Sequence, residues 1–401
     1  MKFDDYTRQQ VLDRLFAEWT PKPQTITAAV DNAVGYITAA DVYSRVTQPV
    51  VRASRMDGIA VRSADFAQGR PDLEGFKLGR DYVRADTGDD FDDAFDAVIK
   101  IEDVTMLKGG GIALADELVV TPRMNVEPTG ESLRKSDLLF HSGWKVRPVD
   151  VALLVRAGHT EIAVIAPPRV TFIPTGNELV CAGSLPGRGQ NIDSNSTLAR
   201  HMLSSLGAEV SCLPIVRDKQ AALAEALDTA LAQADIVVIN GGSSKGEDDL
   251  NAALLKSRGT VICHGASAAP GRPVCVAVIE GKVVVNVPGP MVATYYVFEW
   301  CLAGIIARWL GVRTHEHPRI KVRLTKDLNT RKGFQFWSRL DVRRSPEGYS
   351  ATPLSLNRGD GPYIIGVPNA QFINSLEGGD YPAGSELEVE LLCDPEFIPE
   401  A

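Results

Sequence analysis

The sequence lacks an excess of basic charge. It has 42 Lys and Arg against 51 Asp and Glu, a formal net charge of -9. That argues against a broad nucleic-acid surface. Its six cysteines (181, 212, 263, 275, 301 and 393) show no CxxC spacing, so they form no disulfide framework. Cys212, Cys263 and Cys275 sit in apolar, strand-like runs and read as buried thiols, which fits a reducing cytoplasm. No uninterrupted apolar stretch reaches about 18 residues, so no membrane span is expected. The nearest candidate, "VATYYVFEWCLAGIIARWL", is interrupted by Glu299 and reads as a buried helix. The first residues, "MKFDDYTRQQVLDRLF", lack the apolar core of a signal peptide. Also missing are a GK[ST] phosphate loop, a G-x-S-x-G elbow, a first-strand GxGxxG and an HExxH pair. Hydrolase and dehydrogenase readings lose their usual support.

What is present is an ordinary globular composition, 44% apolar and 23% charged over 401 residues. That length suits two to four structural units. Apolar spacing at Val11, Leu12, Leu15, Phe16 and Trp19 predicts a helix over 3–19. Residues 27–43 read as a second short helix and a turn. From 46 to 136 short alternating runs are broken by Gly and Asp clusters, a β-rich texture. Residues 137–165 return to helix. From 169 to 312 apolar strands alternate with helices, which predicts a mostly parallel sheet covered on both faces. Strands "DIVVIN" and "KVVVNV" belong to it, and one long helix over 291–310 closes it. Residues 319–393 are strand-like throughout and predict a small antiparallel barrel or sandwich.

In an open α/β sheet, ligands gather at the carboxyl ends of the strands. Three loops leave such ends: "PTGNEL", "NGGSSKGEDD" and "HGASAAPGRP". In the second, Gly241 and Gly242 lead from a strand toward a helix. Free N–H groups and the helix dipole there suit an anion, with Ser243 and Lys245 as further donors. The same residues equally suit a polar turn capped by Ser and Asp. Thr175 and Glu178 end the first strand, and Asp218 ends another in "IVRD". Asp57 and Thr87 fall in turn-like "SRMDG" and "ADTGDD". His315 and His317 in "HEHP" lack a third ligand nearby and read as a linker.

Taken in order, "SRMDGIAVR", "TG" at 87–88, "PTGNEL", "GQNIDSNS", "IVRD", "NGGSSKGEDD", "PGRP" and "VPGP" resemble the MoeA family. These are molybdopterin molybdenumtransferases, similar also to the gephyrin E domain. The resemblance covers about residues 5–393. It implies an elongated multi-domain chain of α/β plus β class: a mostly parallel three-layer α/β domain, a β-rich insertion and a C-terminal small β-barrel. The implied boundaries are 1–45 with 137–168 for a discontinuous helical domain, 46–136 for the insertion, 169–314 for the α/β domain and 318–395 for the barrel.

The resemblance also implies molybdenum cofactor biosynthesis: molybdate is inserted into adenylylated molybdopterin, with AMP release and Mg2+ as cofactor. It implies a homodimer whose site lies between the α/β domain of one subunit and the insertion of the other. Other cofactor-biosynthesis proteins or molybdoenzymes are further implied partners; nucleic acid and membrane are not. Carried over residue by residue, Asp57, Asp218 and Asp249 are catalytic, with Asp218 and Asp249 also at the metal. Thr87, Glu178, Gly241 and Gly242 likewise match ligand-contacting positions, and Thr175, Ser243, Lys245, Arg272 and Pro288 are further expected ligand contacts. The alternative is a non-catalytic paralogue that binds or delivers the cofactor, or scaffolds partner enzymes. The chain departs from the family pattern at Ser132, Ala269, Arg272, Pro290 and Met291, where a carboxylate, two lysines, an Asn and a proline are usual. Arg272 is expected to hold the oxyanion, and Lys245 to replace the missing lysine.

Overall fold

The computed structural model describes residues 3–242, 250–354 and 368–401. The chain divides into two compact units, one of residues 25–164 and one of residues 1–24 with 165–401.

The 25–164 unit is built from short strands. β1 (Thr25–Ala29) pairs with β5 (Glu161–Ile165). Between them β2 (Gly58–Val61) is the middle strand of an antiparallel sheet with β3 (Tyr82–Ala85) and β4 (Ala97–Lys100). Ile59, Val61, Tyr82 and Ile99 form one apolar cluster under this sheet. Its main helix, α2, spans Pro148–Arg156. The helix expected over 27–43 is not formed. That stretch holds β1, one 3-10 turn at Val30–Asn32 and a two-residue strand, Val42–Tyr43. "TITAAV" is partly β-branched, and Val30 N–H donates to the Thr160 carbonyl at 2.9 Å. Pairing with a distant strand outweighs the weak helical preference of its alanines.

The other unit carries a six-stranded sheet. Its strands are β6 (Arg169–Pro174), β7 (Glu209–Cys212), β8 (Ile236–Asn240), β9 (Thr260–His264), β10 (Cys275–Ile279) and β11 (Lys282–Val287). The order is β7-β6-β8-β11-β10-β9, and β10 alone runs against the rest. Alternate residues of β6 serve opposite faces, as the period of a strand requires. Ile173 packs with Leu223 and Leu227 of α4 (Gln220–Gln233) and Leu255 of α5 (Leu250–Arg258). Phe172 meets Phe298 edge-on, ring centroids 6.4 Å apart.

The long helix expected over 291–310 is interrupted. α6 (Met291–Val297) and α7 (Ala303–Leu310) flank a π-helical turn at Phe298–Leu302. Helix α1 (Arg8–Glu18) starts at a capping box: Thr7 Oγ1 accepts from Gln10 N–H at 3.1 Å, and Gln10 Oε1 accepts from Thr7 N–H at 2.9 Å. It buries Val11 and Leu15 against this unit, contacting β9 and β10. Trp19 fixes its end by donating from Nε1 to the Gly281 carbonyl at 3.1 Å.

Five strands close a barrel after α7: β12 (Arg319–Leu324), β13 (Gln335–Ser345), β14 (Gly348–Pro353), β15 (Ala370–Ile373) and β16 (Glu386–Leu391). The ring runs β13-β14-β12-β16-β15 and returns to β13. Val322, Leu340, Val342, Val389 and Leu391 fill it. The barrel reading of this segment holds, but the ring is not wholly antiparallel, since β12 and β14 pair parallel.

Candidate functional site

A cleft of about 680 Å3 opens at the carboxyl ends of β6, β7, β8 and β11. This is where an open parallel sheet presents its loops to a ligand. Thr175, Glu178, Asp218, Gly241 and Gly242 all line it. Five residues singled out from three separate loops are thereby brought together.

The loop after β8 owes its shape to two glycines. Gly241 has φ +104 and Gly242 φ +61, where L residues are strained. A Cβ on Gly241 would stand 2.7 Å from the Thr175 carbonyl, and one on Gly242 would stand 2.6 Å from Asn251 Nδ2. The backbone is therefore packed from behind, and only glycine fits both positions. Thr175 supports the loop from β6: its N–H and its hydroxyl both donate to the Asn240 carbonyl at 2.9 Å.

Asp218 and Glu178 are exposed at the cleft mouth. Asp218 Oδ2 accepts from Asn177 N–H at 3.1 Å, and Asn177 Oδ1 accepts from Asp218 N–H at 3.2 Å. This reciprocal pair ties the loop after β6 to the loop before α4. The Glu178 carboxylate folds back over Gly176. Two cations, Arg217 and Lys219, stand beside these acids in the same cleft.

The floor of the cleft is a network of buried amides that sequence reasoning missed. Asn195 Nδ2, on α3 (Asn195–Ser205), donates to Asn240 Oδ1 at 2.9 Å and to the Gly289 carbonyl at 2.7 Å. Asn240 Nδ2 donates to the Pro288 carbonyl at 2.9 Å. Thr294 Oγ1 donates to the same carbonyl at 2.6 Å. Asn251 Nδ2 donates to the Gly241 carbonyl at 2.8 Å and contacts the Asn286 amide at 3.0 Å. Pro288 thus enters the site as a buried acceptor. The signal was in the sequence: "DIVVIN" and "KVVVNV" are apolar strands carrying Asn at or next to their carboxyl ends. These bonds fix the loops around them.

Arg272 is placed elsewhere. It does not line the cleft. Its Nη2 pairs with Asp5 Oδ1 at 3.0 Å, and its guanidinium lies 4.7 Å from the Phe334 ring centroid. Ala268 and Ala269 form a two-residue strand paired with Gln335 and Phe336 of the barrel. The loop expected to supply an oxyanion ligand here joins the barrel to the sheet. Ser243, Lys245 and Asp249 lie outside the described residues.

In the 25–164 unit, Asp57 and Thr87 meet directly. Asp57 Oδ1 accepts from both the N–H and the hydroxyl of Thr87, each at 2.7 Å. These bonds hold the Asp57 carboxyl below its usual range and keep it ionised. Ser132, where a carboxylate is usual, donates to the Gln48 carbonyl at 3.0 Å and accepts from Arg156. His315 and His317 contact each other edge-on, and His317 Nε2 pairs with Glu299 Oε2 at 2.7 Å.

Among the described residues no three His, Cys, Asp or Glu side chains form a metal cage. Asp218 is the one described member of the expected metal pair, and one of its oxygens is engaged by Asn177. The described donors alone do not fit a Mg2+ site. No helix among the described residues is long and apolar enough to cross a membrane.

Comparisons with known proteins match two segments of the chain. Residues 6–158 match the MoeA N-terminal region (domain I and II), and residues 171–308 match a probable molybdopterin binding domain. A molybdopterin molybdenumtransferase of Haemophilus influenzae is 30% identical over 327 residues, 78% of this chain and 79% of the relative. One of Staphylococcus aureus is 24% identical over 407 residues, 96% of this chain and 94% of the relative. The crystal structure of a molybdopterin biosynthesis MoeA protein from Pyrococcus horikoshii superposes with a TM-score of 0.78 at 26% identity, covering 96% of this chain and 98% of that one. With the fold, the cleft and these likenesses in agreement, the chain belongs to the molybdopterin molybdenumtransferase family, the MoeA proteins.

Proposed function

We propose that this protein acts in molybdenum cofactor biosynthesis, as a transferase that inserts molybdate into adenylylated molybdopterin and releases AMP. The observation that carries the reading is the cleft. A glycine loop at the end of β8 meets Glu178 and Asp218 there, inside the segment that matches a molybdopterin binding domain. The left-handed glycines leave room for a ligand to approach the backbone. The two carboxylates supply acceptors for N–H groups of the pterin and a base for proton movement at the pyrophosphate. In unit 25–164, Asp57 is fixed as a carboxylate by Thr87, which supports its assignment to the catalytic set. Asp249 is assigned to the same site from the family resemblance, and Ser243 and Lys245 from their place in the glycine-led loop.

The reading extends to a homodimer in a reducing cytoplasm, to Mg2+ as the assisting ion and to hand-over of product to other cofactor-pathway proteins or molybdoenzymes. It also keeps the four-part domain division and the three-layer α/β domain expected above. The six cysteines are all free, which suits that compartment.

The test is reconstitution. The purified protein is given adenylylated molybdopterin, Mg2+ and molybdate, and the product is offered to a molybdoenzyme lacking its cofactor. Gain of enzyme activity that depends on molybdate supports a transferase. Tight pterin binding with no gain of activity supports the carrier alternative instead.

A further inference from the structure

Among the described residues, two cations line the cleft, while Arg272 lies elsewhere. Arg217 and Lys219 flank Asp218 in the connection between β7 and α4, and both line the cleft. Arg217 spends one N–H on the loop after β6, donating from Nη1 to the Asn177 carbonyl at 2.6 Å. That bond holds the guanidinium beside Glu178 and Asp218. The Lys219 backbone N–H donates to the Arg217 carbonyl at 2.7 Å, which closes the turn and sets both side chains on one short loop. The Lys219 ammonium has no hydrogen-bond or ion-pair partner among the described residues. Lys219 is also the residue that precedes α4, a 14-residue helix, so its charge adds to that of the helix N-terminus.

A second observation points to a ligand in the same place. Asn195 lines the cleft and is only 6% exposed. Its Nδ2 is fully used, yet its Oδ1 has no hydrogen-bond partner. A buried amide oxygen without a donor is costly. The cleft therefore has an unpaired amide oxygen buried beneath its floor and a cation pair at its mouth, and the cation pair suits an oxyanion.

We propose that Arg217 and Lys219 are the phosphate-contacting residues of this cleft, binding the pyrophosphate of the adenylylated ligand. The proposal rests on the transferase reading and names the cations of that same site. Arg217 offers a planar fork to two phosphate oxygens, and Lys219 a mobile point charge. Neither donates or removes a proton, so their loss shows in affinity before rate.

The test uses the full chain with inorganic pyrophosphate and AMP as probes, followed by calorimetry at low and high salt. Arg217→Gln and Lys219→Gln are each expected to weaken pyrophosphate binding about tenfold, as loss of a charge-assisted contact does. Both variants are expected to flatten its salt dependence. With adenylylated molybdopterin, Lys219→Gln raises KM and leaves kcat within about twofold. Lys219 is solvent-exposed, so its variant keeps the melting temperature of the parent. Unchanged pyrophosphate affinity in both variants overturns the proposal. If the unmodified protein releases AMP on molybdate addition while both variants keep its KM, the proposal falls and the transferase reading stands. If the unmodified protein binds neither probe, the proposal falls regardless of the outcome of the molybdate assay.

Discussion

At the scale of single residues, the site is held by what lies behind it. Gly242 is backed by the Asn251 amide, and its φ is left-handed. Gly242→Ala is expected to cost about 1–3 kcal/mol, because strain and a displaced buried amide act together. Chemical denaturation measures it, and a cost near zero would mean that the loop is not fixed this way. In the sequence the glycines suited an anion or a polar turn equally, and their left-handed φ values show why glycine stands there. The Asn195, Asn240 and Asn251 network was not. An Asn after an apolar run looks like the start of a solvated loop, and only the fold shows that it is buried. The surroundings of Arg272 were not legible either. The sequence fixes its charge and its loop, but not its direction. Phe334 and Asp5 set that, and they come from elements far away in the chain.

At the scale of elements, two features depend on contacts that local pattern does not carry. Helix α1 was legible by its spacing. Its docking against β9 and β10 was not. Leu15 is fully buried there. Leu15→Ala is expected to destabilise the 1–24 and 165–401 unit by about 2–5 kcal/mol, read as a lowered melting temperature. An effect below about 1 kcal/mol would place α1 outside the cooperative unit.

The π-turn between α6 and α7 is the second feature. It carries Glu299, which meets His317 from the linker ahead of the barrel. The hydrogen bond to Glu299 raises the His317 pKa above 6.5, against a smaller opposing effect of burial. A raised folded value means that this contribution is complete below about 6.5 and fades as pH rises through the higher folded value. The stability gap between the parent and His317→Gln is therefore expected to shrink between pH 6 and pH 9 in paired thermal melts. A gap independent of pH would contradict an ionic role. The sequence reading of "HEHP" as a linker agrees with its place, but the partner lies 18 positions away. A histidine pair with no third ligand nearby carries no sign of it.

At the scale of the whole molecule, the alternation of strand and helix over 169–312 and the run of strands after 319 made both larger architectures legible. Closure of the barrel needed the structure, because ring order depends on which strand meets β13 last. The family came from the order of weak motifs rather than from any one. The central claim is that the chemistry belongs to the cleft at the carboxyl ends of β6, β7, β8 and β11. The measurement that tests it most directly is molybdate-dependent AMP release from adenylylated molybdopterin by the parent, Asp218→Asn and Arg272→Gln. The account predicts a loss on the order of 10²-fold for Asp218→Asn, and a rate within about twofold of the parent for Arg272→Gln. Full activity in Asp218→Asn, or collapse in a well-folded Arg272→Gln, would contradict it and move the reaction out of this cleft.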